Sequence, residues 1–516
     1  MPAEQAADVL IVGGGLGGAA AALAVARLGL CALVTEETDW IGGQLTAQAV
    51  SAPDEHPWIE QFGATRSYQG LRGAIRRYYA DHYPLWPDAE REPLNPGRGA
   101  VSRLCHEPRV ALAALDALLA PHRAAGRVLV WTGWRAQAAE VTHDRVRAVR
   151  VADRGGAAAW LQAPLVVDAT DCGDLLPLAG CPYVTGAESA ADTGEPHAAA
   201  RAAPQDMQSF TWCLVVDHCP GEDHTVPRPP GYEAFAQAGH LDWVQPHPVT
   251  GEPRRYGLFT DEGGAYPLWR YRRLLDRTQF VAGAFPSDLS LVNWPQNDYA
   301  AGSIIDVPET ARAQALDAAR RLSLSVLHWL QTEAPRPDGG CGWPGLRLRP
   351  DVVGTADGLA MAPYVRESRR IVPLCRVLEQ DIALACRPDG RAAPCEDSVG
   401  IGLYRIDLHP GTEARQYLDL ACCPFQIPLG ALLPEHPRNL IAGAKNIGTT
   451  HITNGAYRLH PVEWNIGEAA GALAAFCVQQ GCAPRAVREV TATREAFQVV
   501  LRRLGVPLAW PTAHAI

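Results

Sequence analysis

Val9 to Val12 form an uninterrupted apolar run that ends at Gly13. A short, β-branched run of this kind predicts a strand buried on both faces, as in a parallel sheet. Ala19 to Leu30 is rich in alanine and leucine, which predicts a helix. The next apolar run, CALVT at Cys31 to Thr35, predicts the second strand. Further on, Arg109 to Leu119 repeats apolar residues at helical spacing. Arg127 to Thr132, Ala138 to Val151 and Trp160 to Ala169 read as strands. Ala163 to Gly180 reads as a strand, a turn of small and acidic residues, and a short helix. From about 186 to 340, proline, glycine and aromatics break any sustained period, apart from a helix at Ala311 to Thr332. Asn439 to Ala444 predicts a short strand ending in glycine. A last helix runs from Pro461 to about Gln480, closed by Gly481. The pattern predicts an α/β protein: a discontinuous Rossmann-like dinucleotide-binding domain with an inserted β-rich α+β substrate domain. The boundaries expected are 1–185 for the first part, 186–420 for the insertion, and 421–516 for the return and the C-terminal helices.

The first strand and helix enclose Gly13, Gly15 and Gly18, which satisfy G-x-G-x-x-G. The first glycine makes a tight turn, the second lets a pyrophosphate approach the backbone, and the third lets helix and strand pack closely. The helix N-terminus offers unpaired N–H groups to the phosphates. Glu36, at the end of the second strand, is placed to accept hydrogen bonds from a ribose hydroxyl. Gly340 to Gly345 fits the same formula, but Pro344 lies within it and no strand enters it. One dinucleotide site is therefore expected, without a second for NAD(P)H.

The chain has 516 residues, 47% hydrophobic and 20% charged, with a net charge of −10. The acidic balance argues against nucleic acid or an anionic membrane as the main partner. The 14 cysteines are scattered, with no C-x-x-C, so no metal site is expected. Cys422 and Cys423 read as buried neutral thiols. Leu10 to Val34 is apolar, but Glu4 and Asp8 precede it, Arg27 interrupts it and glycine fills its start. It reads as neither a signal peptide nor a membrane span, and a cytoplasmic location is expected. All basic residues are arginine except one, Lys445.

Four later segments carry a resemblance. They are VVDATDCGDL (Val166 to Leu175), APYVRESRRI (Ala362 to Ile371), YRIDLHP (Tyr404 to Pro410) and the long stretch Asn439 to Gly471 containing AGAKNIG. In this order, with the N-terminal glycines, the chain resembles the FAD-dependent oxidoreductases of the two-dinucleotide-fold flavoprotein superfamily. The resemblance covers both ends well and the middle in patches. It implies FAD as cofactor, with Gly13, Gly15 and Gly18 at the pyrophosphate and Glu36 on the adenosine ribose. It implies that Trp40 to Thr46, including Gly43 and Gln44, lines the flavin or its ribityl chain. Arg103 or Arg109 would touch the phosphate or ribityl region, with Asp168 beside the pyrophosphate. Gly443, Lys445, Asn446, His451 and Gly467 would lie at the flavin end. The chain departs from the pattern where Cys172 follows Asp171.

Candidate chemistry follows from residue types. Asp407 and His409 alternate in YRIDLHP, so in a strand they share a face, and an Asp that orients a His makes a base. Arg366 reads either as a bidentate clamp for a substrate carboxylate or as part of a buried ion-pair network. Lys445 reads as an anion contact, or as a cation acting on oxygen. The expected reaction is two-electron hydride transfer between a small-molecule substrate and flavin N5. The electron partner stays open among oxygen, a quinone, another protein and NAD(P)H. A flavin monooxygenase or hydroxylase is the alternative, and a flavin-bearing nucleic-acid-modifying or scaffold protein is less favoured.

Overall fold

The computed structural model describes residues 3–511 apart from 88–92, 248–249, 263, 265 and 415–416. Strand β1 (Val9–Val12), helix α1 (Leu16–Arg27) and strand β2 (Ala32–Glu36) make the opening unit. Helices α2 (Arg66–His82) and α3 (Pro108–Ala124) precede β3 (Val128–Thr132), which pairs with β2 in parallel, Ala32 opposite Val128. A separate sheet follows, made of β4 (Trp134–Thr142), β5 (Arg145–Asp153) and β6 (Ala158–Gln162) with the strand Ala3–Ala6 at its edge. Then β7 (Leu165–Asp168) pairs with β1 in parallel, placing Asp168 opposite Val12.

The chain leaves this sheet after Asp168. It builds an antiparallel sheet from β8 (Leu214–His218), β9 (Arg273–Leu275), β10 (Leu289–Val292) and β11 (Leu346–Leu348), in the order β9–β10–β8–β11. Helix α4 (Glu309–Thr332) packs in the same core. A small antiparallel hairpin, β12 (Ile406–Leu408) and β13 (Leu418–Leu420), comes next. Strand β14 (Leu440–Ala442) then returns beside β7, with Ala442 opposite Asp168. The parallel sheet thus runs β14–β7–β1–β2–β3, with its outermost strand supplied from far along the chain. Helices α5 (His451–Tyr457) and α6 (His460–Gln480) follow it.

Two apolar cores result, and α1 is a wall of both. Ala21, Ala22 and Val25 face the core of the parallel sheet, together with Ile371, Val399 and Leu408. Leu16, Ala19 and Leu23 face the other core, with Leu71, Leu115, Val215 and Leu291. This explains why α1 is apolar all round. It packs on α6 through backbone rather than side chains: a Cβ on Gly467 would overlap the Gly17 carbonyl, and one on Gly471 would overlap Ala21. The N-terminal end of α1 is thereby held against α6.

Two strand expectations are corrected. Ala138 to Val151 is not one strand but two, β4 and β5, joined at His143 and Asp144, both with positive φ. Aspartate tolerates that conformation, and two such residues in succession are the tight turn a hairpin needs. Trp160 to Ala169 divides at Ala163–Pro164, where the chain steps from one sheet to the other. Among the described residues, no helix is long and apolar enough to cross a membrane.

Candidate active site

The glycine turn sits where β1, β2 and β7 end. Gly13 has φ +98, and a Cβ there would lie 2.4 Å from the Ala169 backbone, so only glycine fits. Gly15 is different: a Cβ built on it meets only ordinary contacts, the nearest being the Ala169 carbonyl at 3.8 Å, so the position is not closed by backbone. A cleft begins there, lined by Gly13, Gly15, Glu36, Trp134, Ala169 and Asp171. Gly18 packs against the Gly13 carbonyl, and Gly443 presses on Val167 and Gly17. These two glycines and Gly467 serve close approach of backbones, not contact with the cleft.

Glu36 is buried at the end of β2. It accepts from the Gly14 N–H at 2.9 Å, the Thr38 N–H at 2.8 Å and the Thr38 hydroxyl at 2.7 Å. Burial, aided by Glu37, pushes its carboxyl up to about 8. Asp168, at the end of β7, is pushed up to about 7 by burial while Thr170 holds one of its oxygens. Asn446 donates to the Asp168 carbonyl at 3.0 Å, fixing the loop after β14 to the turn.

Lys445 stands on that loop, 2% exposed. Its Nζ lies 2.5 Å from Asp171 Oδ1 and 3.6 Å from Glu463 Oε2. Burial opposes its charge, but the two carboxylates hold its pKa above the usual lysine range. Glu463, in the first turn of α6, also accepts from the Gln44 side chain and from the Gly17 N–H at 3.4 Å. Gly43 touches Gly15, so the Trp40 to Thr46 segment lies against the turn. The Oε1 atoms of Gln44 and Gln48 and Oδ2 of Asp168 are buried without a protein partner among the described residues. Such atoms call for a partner outside the chain, an ordered water or a bound group.

From Gln44 a chain of contacts leads outward. Its Nε2 donates to the Arg458 carbonyl at 3.0 Å. The Arg458 guanidinium donates to the Tyr364 hydroxyl at 2.8 Å and to Asp407 Oδ2 at 2.9 Å. Asp407 Oδ2 lies 3.6 Å from His409 Nε2, and the other ring nitrogen, Nδ1, lies 2.6 Å from Asp298. Asp407 and His409 are thus brought together as their alternation suggests, but the residue that orients the imidazole is Asp298. The reason is geometric: Asp298 makes the short contact to Nδ1, whereas Asp407 is tied to Arg458. Against the upward push of burial, Arg366 and His409 hold the Asp298 carboxyl down at about 2. His409 and Arg458 hold Asp407 below the usual carboxylate range in the same way.

Arg366 resolves to the second of its two readings. It donates to Asp298, the Ser209 carbonyl and the Thr211 hydroxyl, each at 2.9 Å, and is 2% exposed. With these partners it supports Asp298 and is not a clamp open to substrate.

His451 pairs with Glu367 at 2.9 Å and lines a cavity that also contains His409, apart from the glycine-turn cleft. Arg103 is exposed and lines a groove with Glu60 and Asn95 rather than the cleft. Arg109 lies over the Trp40 ring at 5.2 Å. All 14 cysteines are free thiols, and Cys422 and Cys423 are fully buried. Cys219, Glu222 and His224 lie within 4.8 Å of one another, a grouping that the scattered cysteines do not announce.

The model of one protein family, described as FAD dependent oxidoreductase, matches residues 8–501. The chain belongs to the FAD-dependent oxidoreductase family. FAD is its cofactor, and the cleft at Gly15 and the unpartnered Gln44, Gln48 and Asp168 oxygens fit such a group. No curated protein matches this FAD-dependent oxidoreductase. Among solved structures, it is similar to L-proline dehydrogenase from P. horikoshii, with 15% identity, TM-score 0.18, and coverage of 36% of this chain and 24% of that one. It is also similar to the myxobacterial chondrochloren halogenase CndH, with 16% identity, TM-score 0.22, and coverage of 43% and 46%. A third is 3-ketosteroid-Δ4-(5α)-dehydrogenase from Rhodococcus jostii, with 19% identity, TM-score 0.21, and coverage of 34% and 50%. The chain thus spans about half or less of each of these proteins.

Proposed function

We propose that this FAD-dependent oxidoreductase oxidises a small molecule at a carbon bearing a hydroxyl or amine, with His409 as the proton acceptor. The observation that carries the reading is the 2.6 Å contact of Asp298 with His409 Nδ1. In the neutral imidazole with Nδ1–H donated to Asp298, Nε2 carries the lone pair. That nitrogen then takes the O–H or N–H proton while the bound FAD supplies a two-electron acceptor at N5. Asp407, 3.6 Å from Nε2, stabilises the imidazolium that forms.

The cofactor-binding assignments belong to the same proposal. Gly13, Gly15 and the α1 N-terminus hold the pyrophosphate, and Glu36 holds the ribose. Gln44, Gln48 and Asn446 meet the flavin end. Lys445 neutralises Asp171 and Glu463, which otherwise set two negative charges beside the phosphates. The Gln44–Arg458–Asp407 contacts tie the cofactor segment to His409.

Anaerobic mixing with alcohols and amines tests the reading. Flavin absorbance should bleach with a member of the panel in the wild type, and His409→Gln should keep its FAD but lose bleaching by about a hundredfold or more. Equal bleaching rates in the two proteins would overturn the assignment.

A further inference from the structure

The cavity beyond His409 has a composition that the redox reading does not use. Its volume is about 300 Å³, at the small end of ligand sites. Three histidines line it, and each has its Nδ1 against a carboxylate: His409 on Asp298 at 2.6 Å, His451 on Glu367 at 2.9 Å and His197 on Glu379 at 2.5 Å. Among the described residues, the Nε2 atoms of His451 and His197 make no hydrogen bond within the protein, and that of His409 faces Asp407 at 3.6 Å. Carboxylate backing fixes ring orientation and tautomer and so sets what the other nitrogen can offer a partner. Glu379 and Glu367 are completely buried, and Arg370 joins Glu367 to Glu188.

Three acidic residues share the wall, all anchored. Glu188 accepts from Arg370 and the His451 N–H, Glu195 from the Glu379 N–H and the Thr450 hydroxyl, and Asp206 from the Glu413 and Ala414 N–H groups. Among the described residues, the lining holds no lysine or arginine. An anionic ligand would face these carboxylates without an opposing cation among the described lining residues. Glu188 is paired with Arg370, while Glu195 and Asp206 are held by uncharged donors, and each keeps acceptor lone pairs for further O–H groups. Hydroxyl groups suit both kinds of wall, since they donate to carboxylates and accept from imidazole N–H. Tyr417, whose ring is 5.4 Å from that of His409, and Leu408 supply apolar surface for C–H groups.

We propose that this cavity is the substrate pocket and that it takes a small neutral polyhydroxylated compound, a sugar or cyclic polyol, with His451 as a second imidazole contacting a hydroxyl next to the one that His409 deprotonates. The proposal rests on the reading of His409 given above. Bound FAD would supply the two-electron acceptor, and as the hydroxyl-bearing carbon is oxidised to a carbonyl its O–H proton would pass to His409. His451 is a positioning residue that hydrogen-bonds the neighbouring oxygen.

Calorimetric titration of the FAD-loaded full chain tests this, with D-glucose, D-galactose and myo-inositol set against succinate and 1,4-diaminobutane. The expected result is binding by a polyol, absence of binding by succinate, and a roughly tenfold weaker polyol Kd in His451→Gln with FAD occupancy and melting temperature retained. Should His451→Gln fail to fold, His197→Gln at the more open edge of the cavity carries the same expectation. Binding of succinate or the diamine in preference to every polyol would overturn the proposal, as would a polyol Kd unchanged in the folded variant. Polyol binding without anaerobic bleaching would sink the redox reading and leave the pocket standing. Bleaching by a compound that polyols do not displace would sink the pocket and leave the redox reading standing.

Discussion

Asp298 and His409 are 111 residues apart in the chain, yet their side chains meet at 2.6 Å. Asp298 follows β10 in the antiparallel sheet region, and His409 follows β12 near the core of the parallel sheet. The contact therefore bridges the two parts of the molecule that α1 separates. It makes Asp298 the most informative residue to change. Asp298→Asn keeps the shape but can present an amide N–H to Nδ1, which favours the wrong tautomer. Turnover should fall by about a hundredfold or more, while flavin absorbance stays at the wild-type level. Steady-state kinetics with a spectrum of the same sample checks both halves.

The charged group around Lys445 gives a stability prediction. Lys445→Met leaves Asp171 and Glu463 without their shared cation, and breaking a buried pair from one side costs about 3–5 kcal/mol. Adding Asp171→Asn should restore part of that loss. A double-mutant cycle by denaturant unfolding reads the coupling, and strict additivity would contradict the pairing.

Close packing of α1 on α6 predicts a different kind of failure. In Gly467→Ala the added methyl overlaps the Gly17 carbonyl, and both partners are backbone, so the helices must separate. The cost should be about 1–3 kcal/mol, and FAD retention should fall with it because Glu463 and the Gly15 turn move apart. Thermal melting and the flavin-to-protein absorbance ratio measure the two effects.

His460 supplies a pH signature. Its Nδ1 accepts from the Asp54 N–H and its Nε2 contacts the Val50 carbonyl, both at 3.0 Å, so the ring is held neutral. Burial lowers its pKa from 6.5 to about 4. The unfolded chain then binds the proton more readily, so this contribution is complete above pH 6.5 and is lost as pH falls toward 4. The stability advantage of wild type over His460→Gln should shrink by roughly 3 kcal/mol across that window. A gap that is flat with pH would contradict the neutral assignment.

Local chemistry made much of the fold legible. The apolar run before Gly13, the alanine-rich helix and the apolar strand ending in Glu36 specify a βαβ unit through contacts close in sequence. The late strand was readable for the same reason, because Leu440 to Gly443 repeats the short apolar run that ends in glycine. The His143–Asp144 turn was missed because neither residue is glycine and the flanking apolar residues continue across it. The site was less legible. Alternation placed Asp407 beside His409, but alternation knows nothing of Asp298, which reaches His409 through the tertiary fold. Residue type alone left Arg366 open between clamp and network, and only its partners Asp298, Ser209 and Thr211 decide.

In the proposed reaction His409, oriented by Asp298, takes the substrate proton in an FAD-dependent oxidation. The most direct test of this step is the single-turnover rate of anaerobic flavin bleaching in wild type and His409→Gln, each loaded with FAD and mixed with the same oxidisable substrate. The account predicts full flavin occupancy in both proteins and a rate at least about a hundredfold lower in the variant. Bleaching of the variant at the wild-type rate would contradict it.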